Sequence, residues 1–263
     1  MKIMTRIIQL SVLLVATFSM SAAMACTVGA WNGGVTGDPA PLDGNPSEAL
    51  PRVSGKCAMT LTAAGSVKDV SPEAETKVFI RFYVLAELNS GAPTIFQAFS
   101  TDAAENADTL LYVTLHDGGT NFNFNAGVQD SGPVAGKSGW NMIELAWTGG
   151  TTMDYWVNTD SSEAPTGSVP AAPGTMDSVI LGSVEAIDGK LIFDDYESHR
   201  NSPVGGLLAG DANSDGGINS GDIDMVVAEF LFSTLADGVV DCNLDGSVNS
   251  GDIDCIVKIF LGL

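Results

Sequence analysis

The chain has 263 residues, 32 acidic side chains against 11 basic ones, and a formal net charge of −21. So few cations exclude a nucleic-acid footprint, which needs clustered Lys and Arg, and argue against binding to an anionic membrane surface. With two His and four Cys in the whole chain, a Cys/His zinc site or a cysteine nucleophile has little to be built from.

Residues 1–25 read as a secretion leader. Lys2 and Arg6 supply a positive start, Ile7 to Phe18 an apolar run, and Ala23-Met24-Ala25 a small-residue cleavage site. That run is too short to span a bilayer, and no later run is long enough. The expected address is extracellular, with retention in the periplasm or a lipid anchor on Cys26 as the lesser variants. Ala23 stands where lipoprotein processing prefers a larger aliphatic residue. Four cysteines in an exported chain predict two disulfides. Of three possible connectivities, sequence position favours Cys26–Cys57 and Cys242–Cys255.

Residues 26–200 carry about nine short β-like runs separated by Gly, Pro, Asn, Asp and Ser clusters, the pattern of an all-β domain. The clearest runs are 77–87, 93–99, 109–116, 120–126, 141–147, 152–158, 177–183 and 189–196. Asn121-Phe122-Asn123-Phe124-Asn125 alternates without a break, so its Phe side chains face a core and its Asn side chains face water. The expected fold class is mainly β: a jelly-roll-like β-sandwich, followed by a small all-α module.

The run Trp140-Asn-Met-Ile-Glu-Leu-Ala-Trp147, the run from Thr152 to Asn158 and the closing run Gly189 to Tyr196 resemble concanavalin A-like and laminin-G-like jelly rolls. The resemblance implies a sugar-binding sheet or rim. The row Asn121, Asn123, Asn125 is one candidate ligand face, and Tyr155 and Trp156 offer aromatic rings for stacking; the plain alternative is a solvated polar row and core aromatics. For catalysis the candidates are Asp195 and Glu197, which share one face of a strand with His199 continuing the row. Two carboxylates so spaced lie within the range a glycosidase pair uses. The Glu-x-Asp-x-x-Glu strand of many glycosidases of this fold is absent. So are a Gly-x-Ser-x-Gly elbow, a Walker loop and a dinucleotide fingerprint.

Residues 201–206 read as a short linker. Beyond it, residues 207–263 hold one twelve-residue pattern twice. Asp211, Asn213, Asp215, Gly217, Asn219 and Asp222 occupy its first, third, fifth, seventh, ninth and twelfth positions. Asp241, Asn243, Asp245, Ser247, Asn249 and Asp252 repeat them. Such a loop wraps oxygen donors around a hard cation: side chains give most of them, the seventh residue its backbone carbonyl, and the ninth acts through a water. Glycine at the sixth position, Gly216 or Gly246, allows the sharp turn. Two copies predict two Ca²⁺ ions. After each loop, Ile223, Val226, Val227, Phe230 and Leu231, then Ile253, Ile256, Val257, Phe260 and Leu261, fall at helical spacing.

With Asp at the twelfth position and a helix only after each loop, residues 207–263 resemble a type I dockerin, an EF-hand-like duplicated calcium module. That resemblance implies folding coupled to Ca²⁺ and a cohesin-like protein partner. Dockerins that bind cohesins often carry a Ser/Thr pair and then Lys-Arg; here Ser220-Gly221 and Ser250-Gly251 stand in the first place and Val227-Ala228 and Val257-Lys258 in the second. The leading functional expectation is a secreted, non-enzymatic carbohydrate- or surface-binding matrix protein with a calcium-folded docking module. The competing class is a polysaccharide-degrading glycoside hydrolase, or its accessory subunit, carrying a dockerin.

Overall fold

The computed structural model describes residues 31–37, 39–43, 51–101, 107–127, 129–149, 152–171, 173–231 and 234–263. The expected leader and Cys26 lie outside these residues. The described strands form two antiparallel sheets. The first runs β1 (Val35–Gly37), β4 (Gly65–Asp69), β14 (Ser178–Ser183), β6 (Thr94–Thr101), β7 (Ala107–His116), β8 (Asn121–Ala126), β10 (Val134–Ala135), with β9 (Gln129–Asp130) also on β8. The second runs β13 (Gly167–Pro170), β12 (Thr152–Val157), β11 (Trp140–Trp147), β5 (Val78–Ser90), β15 (Asp188–His199), β3 (Cys57–Leu61), β2 (Ala40–Asp43).

Alternation places the core between the sheets. From β7 and β8, Leu111, Val113, Leu115, Phe122 and Phe124 point inward and are fully buried. They meet Ile80, Phe82, Ile143, Leu145 and Phe193 of the second sheet, and Phe82 stacks on Phe96 at 5.5 Å between ring centroids. The sandwich expected from the turn spacing is therefore present.

The second sheet departs from simple alternation. All eight residues of β11 are buried, and so are the first eight of β5. A strand that is apolar on both faces needs a layer on each side. Here the outer layer is the C-terminal part of the chain. Val53, Ala58, Tyr83, Leu85, Trp140, Met142 and Ile192 on the outer face pack with Leu207, Val239 and Leu244.

Residues 204–207, at the segment expected as a linker, are hydrogen-bonded along that face. The buried Glu144 accepts from the amides of Val204 (2.7 Å) and Gly205 (3.1 Å). Arg81 donates to the Gly205 carbonyl at 2.8 Å, and the Leu207 amide donates to the Tyr83 hydroxyl at 3.1 Å.

The tail contributes two helices, α1 (Ser220–Phe230) and α2 (Ser250–Leu261), which pack on each other. Their shared core is Val226 and Ile256 with Ala212, Ala236, Val240 and Val248. Each helix begins with a reciprocal capping box, Asn219 with Asp222 and Asn249 with Asp252. The Cys242–Cys255 disulfide forms as expected and ties the second loop to α2. Cys57 is also disulfide-bonded, while Cys26, the partner expected for it, falls outside the described residues. No helix is long and apolar enough to cross a membrane among the described residues.

Candidate functional site

The two duplicated loops share one backbone path. The fourth residue of each takes a left-handed conformation (Ser214 φ 58°, Leu244 φ 57°), as does the sixth (Gly216 φ 84°, Gly246 φ 95°). The first carboxylate organises the turn. Asp211 accepts from the amides of Asp215 and Gly216 at 3.1 and 3.0 Å, and Asp241 from those of Asp245 and Gly246 at 3.0 and 2.7 Å. The twelfth carboxylate closes it. Asp222 accepts from Asn213 and Asn219, and Asp252 from Asn243 and Asn249. The side-chain oxygens of Asn213 and Asn243 accept from the fifth-position amides, and Asp215 and Asp245 accept from the amides of Gly217 and Ser247. Asn219 and Asn249 turn their oxygens to the helix amides of Gly221 and Gly251, both at 2.7 Å.

Each loop thus ties its three carboxylates to its own backbone amides. Asp211, Asp222, Asp241 and Asp252 are buried. Among the described residues no Lys or Arg forms an ion pair with any of them. Burial, then the negative charge of Asp252 and Asp245, pushes the Asp241 carboxyl up to about 7, against the pull of the Gly246 amide. Burial also raises Asp252. Among the described residues no group of three or more His, Cys, Asp and Glu side chains stands in metal-holding geometry. The donor set is nevertheless that of a hard, oxygen-seeking cation: three carboxylates, an Asn oxygen and a backbone carbonyl per loop.

The Asn row faces away from the core, as its alternation requires. Asn121, Asn123 and Asn125 stand opposite His116, Thr114 and Tyr112 of β7, and Gln97 of β6 is opposite Tyr112. His116 and Thr114 are hydrogen-bonded at 3.1 Å, and Asn121 donates to Asp117 at 2.6 Å. Asn125 is buried, the others half-buried. Tyr112, Thr114, His116 and Gln97 escaped the sequence reading. The signal was the alternation of Leu111, Val113 and Leu115 with them on one strand.

One expectation is corrected. Tyr155 and Trp156 do not join the Asn row as stacking platforms, because both are buried. Tyr155 points into the core and stacks on Phe124 at 4.1 Å. Trp156 lies on the outer face of the other sheet against Phe79, Ala146 and Val204, its indole N–H donating to Glu163. Asp195 and Glu197 do come together, but on one guanidinium: Arg81 lies 3.8 Å from Asp195 and 3.0 Å from Glu197, and His199 bonds Glu197 at 2.8 Å. Asp195 also accepts from the Ser54 hydroxyl and sits at a register shift with φ 50°.

No protein-family model matches the chain, and no curated protein matches it. Several solved structures are similar. The ligand-binding domain of botulinum neurotoxin serotype D, in complex with N-acetylneuraminic acid, shares 11% identity at TM-score 0.41, over 62% of this chain and 43% of that one. The chain therefore spans less than half of that domain. A cellulose induced protein shares 12% at TM-score 0.43, over 69% and 93% of the two chains. An immunostimulatory antigen and pseudo beta-1,3-glucanase of Mycobacterium tuberculosis shares 15% at TM-score 0.41, over 55% and 75%. At such identities and scores these likenesses carry no argument about ligand or activity.

Proposed function

We propose that this is an exported, non-enzymatic binding protein, in which a two-calcium, dockerin-like tail rigidifies a β-sandwich that presents a polar sheet face to a glycan. The observation that carries the calcium reading is the pair of matched loops. Each buries first and twelfth carboxylates that form no ion pair with Lys or Arg among the described residues, Lys137 acting on Asp241 only from beyond ion-pair distance. Asp211, Asn213, Asp215, Asp222 and the Gly217 carbonyl would hold one Ca²⁺; Asp241, Asn243, Asp245, Asp252 and the Ser247 carbonyl the other. A divalent ion relieves the mutual repulsion and replaces the missing counter-charge. The glycan reading rests on the first sheet. Its outward Asn121, Asn123, Thr114, His116 and Gln97 offer hydrogen bonds to hydroxyls beside the Tyr112 ring. A cohesin-like partner, if the tail docks to one, would meet the first loop and the helix ends, since the second loop lies against the sandwich.

The deciding measurement is calorimetric titration of the full chain with Ca²⁺. Two bound ions are expected, with D211A and D241A each losing one; absence of binding sinks the reading. A glycan array read with N123A and Y112A tests the face, and binding that survives both variants would place the ligand elsewhere.

A further inference from the structure

The two loops are alike in sequence and backbone but not in surroundings. The first stands in the open: Ser214, at its fourth position, is exposed, and nothing lies within 4 Å of a side chain placed on Gly216. The second is seated on the sheet. Leu244, at the same fourth position, packs into the apolar layer with Trp140, Leu85 and Tyr83, and its carbonyl accepts from the Trp140 amide at 2.9 Å. Gly246 lies over Leu85, and a Cβ on Gly139 would fall 2.3 Å from the Leu244 oxygen, so the approach is backbone to backbone. Two further ties flank this seat. The Gly55 amide donates to the Asp237 carbonyl at 3.1 Å, and buried Arg52 pairs with buried Glu229 of α1 at 2.5 Å.

We infer that the second loop is a clasp: its folding and the closure of the apolar outer face of the second sheet are one event. The tail is then a fixed third layer of the sandwich and not a module swinging on a tether, with the first loop left to respond to its ion alone. The part of this inference that assigns an ion to the clasp rests on the calcium reading above; the docking itself does not. Emptying or breaking the second loop uncovers Tyr83, Leu85, Trp140, Met142 and Ile192, one contiguous apolar patch. The indole N–H of Trp140 has no hydrogen-bond partner among the described residues, so its emission responds to water entry.

The test uses the full chain carrying L244D, with S214D as the matched change in the open loop. Scanning calorimetry should show L244D lowering the sandwich midpoint by about 5–10 °C. L244D should also admit a hydrophobic dye and shift Trp emission to the red, the shift vanishing in a W140F background. S214D should leave all three readouts as in the wild type. An unmoved sandwich midpoint in L244D, or a separate early transition for the tail above an unchanged sandwich, overturns the clasp. Calcium titrations separate the two readings: emission should respond in the wild type and D211A and not in D241A. A wild type silent to Ca²⁺ in which L244D still opens the sheet would end the calcium reading and uphold the clasp. A Ca²⁺ response of equal size in D211A and D241A would overturn the inequivalence of the loops.

Discussion

At the scale of single residues, the molecule spends its buried charges in two ways. Arg52 and Glu229 are both buried and satisfied: Arg52 also donates to the Gly55 carbonyl, and Glu229 accepts from the Ala236 amide. Removing one partner strands the other in a site without water. R52A should therefore cost about 3–5 kcal/mol in urea denaturation, whereas a surface pair such as Lys258–Asp254 should contribute well under about 1 kcal/mol. Asp194 is the second case. Burial, then the charge of Asp195, raises its carboxyl from 3.8 to about 7, against three backbone amides that donate to it. The folded state then binds the proton more tightly than the unfolded chain between these values. Its contribution is present below about 4 and is lost as pH rises through about 7. In chelator, D194N should flatten this part of the stability–pH slope, by an amount on the order of a few kcal/mol between pH 4.5 and 8.

At the scale of elements, the legibility of each segment follows the strength of its local pattern. The runs at 109–116, 120–126 and 152–158 appear within two residues as β7, β8 and β12, because alternation is written into the chain itself. The strands Cys57–Leu61, Gly65–Asp69 and Gly167–Pro170 were not anticipated; they are short, and partners distant in sequence define them. Both helices start at an Asn whose side chain caps them, Asn219 and Asn249. N249A should remove the cap of α2 and cost about 1 kcal/mol, measured in EDTA so that metal plays no part. The Cys242–Cys255 bridge closes a loop with a sequence separation of 13, for which chain entropy gives about 3 kcal/mol. The row Asp195, Glu197 and His199 does come together, as one strand face implies. What alternation left out was Arg81, which comes from the adjacent strand and is opposite Glu197 in register.

At the scale of the whole molecule, calcium should act on the sandwich as well as on the tail, because the second loop is part of its outer layer. At free Ca²⁺ about 100-fold above Kd, each filled loop adds about 2.7 kcal/mol. EDTA should then lower the midpoint of the full chain by about 5–10 °C per ion. D241A should reproduce more of that loss in the sandwich than D211A.

Local pattern in the chain carries whatever is periodic or repeated: the longer sandwich strands, the outward Asn row, the two helices, and the twin loops with their oxygen spacing. These depend on neighbours a few residues apart, which the chain supplies without folding. Which surfaces remain open is set by packing between distant segments. The largely apolar, wholly buried runs of β5 and β11 call for a second covering layer, but nothing local says that Val204, Leu207, Val239 and Leu244 provide it. Nor does local pattern show Tyr155 and Trp156 turned into packing, Asp195 and Glu197 held by Arg81, or Leu244 in the place that Ser214 leaves exposed. Each depends on contacts between segments far apart in the chain, and burial is a property of the assembled layers.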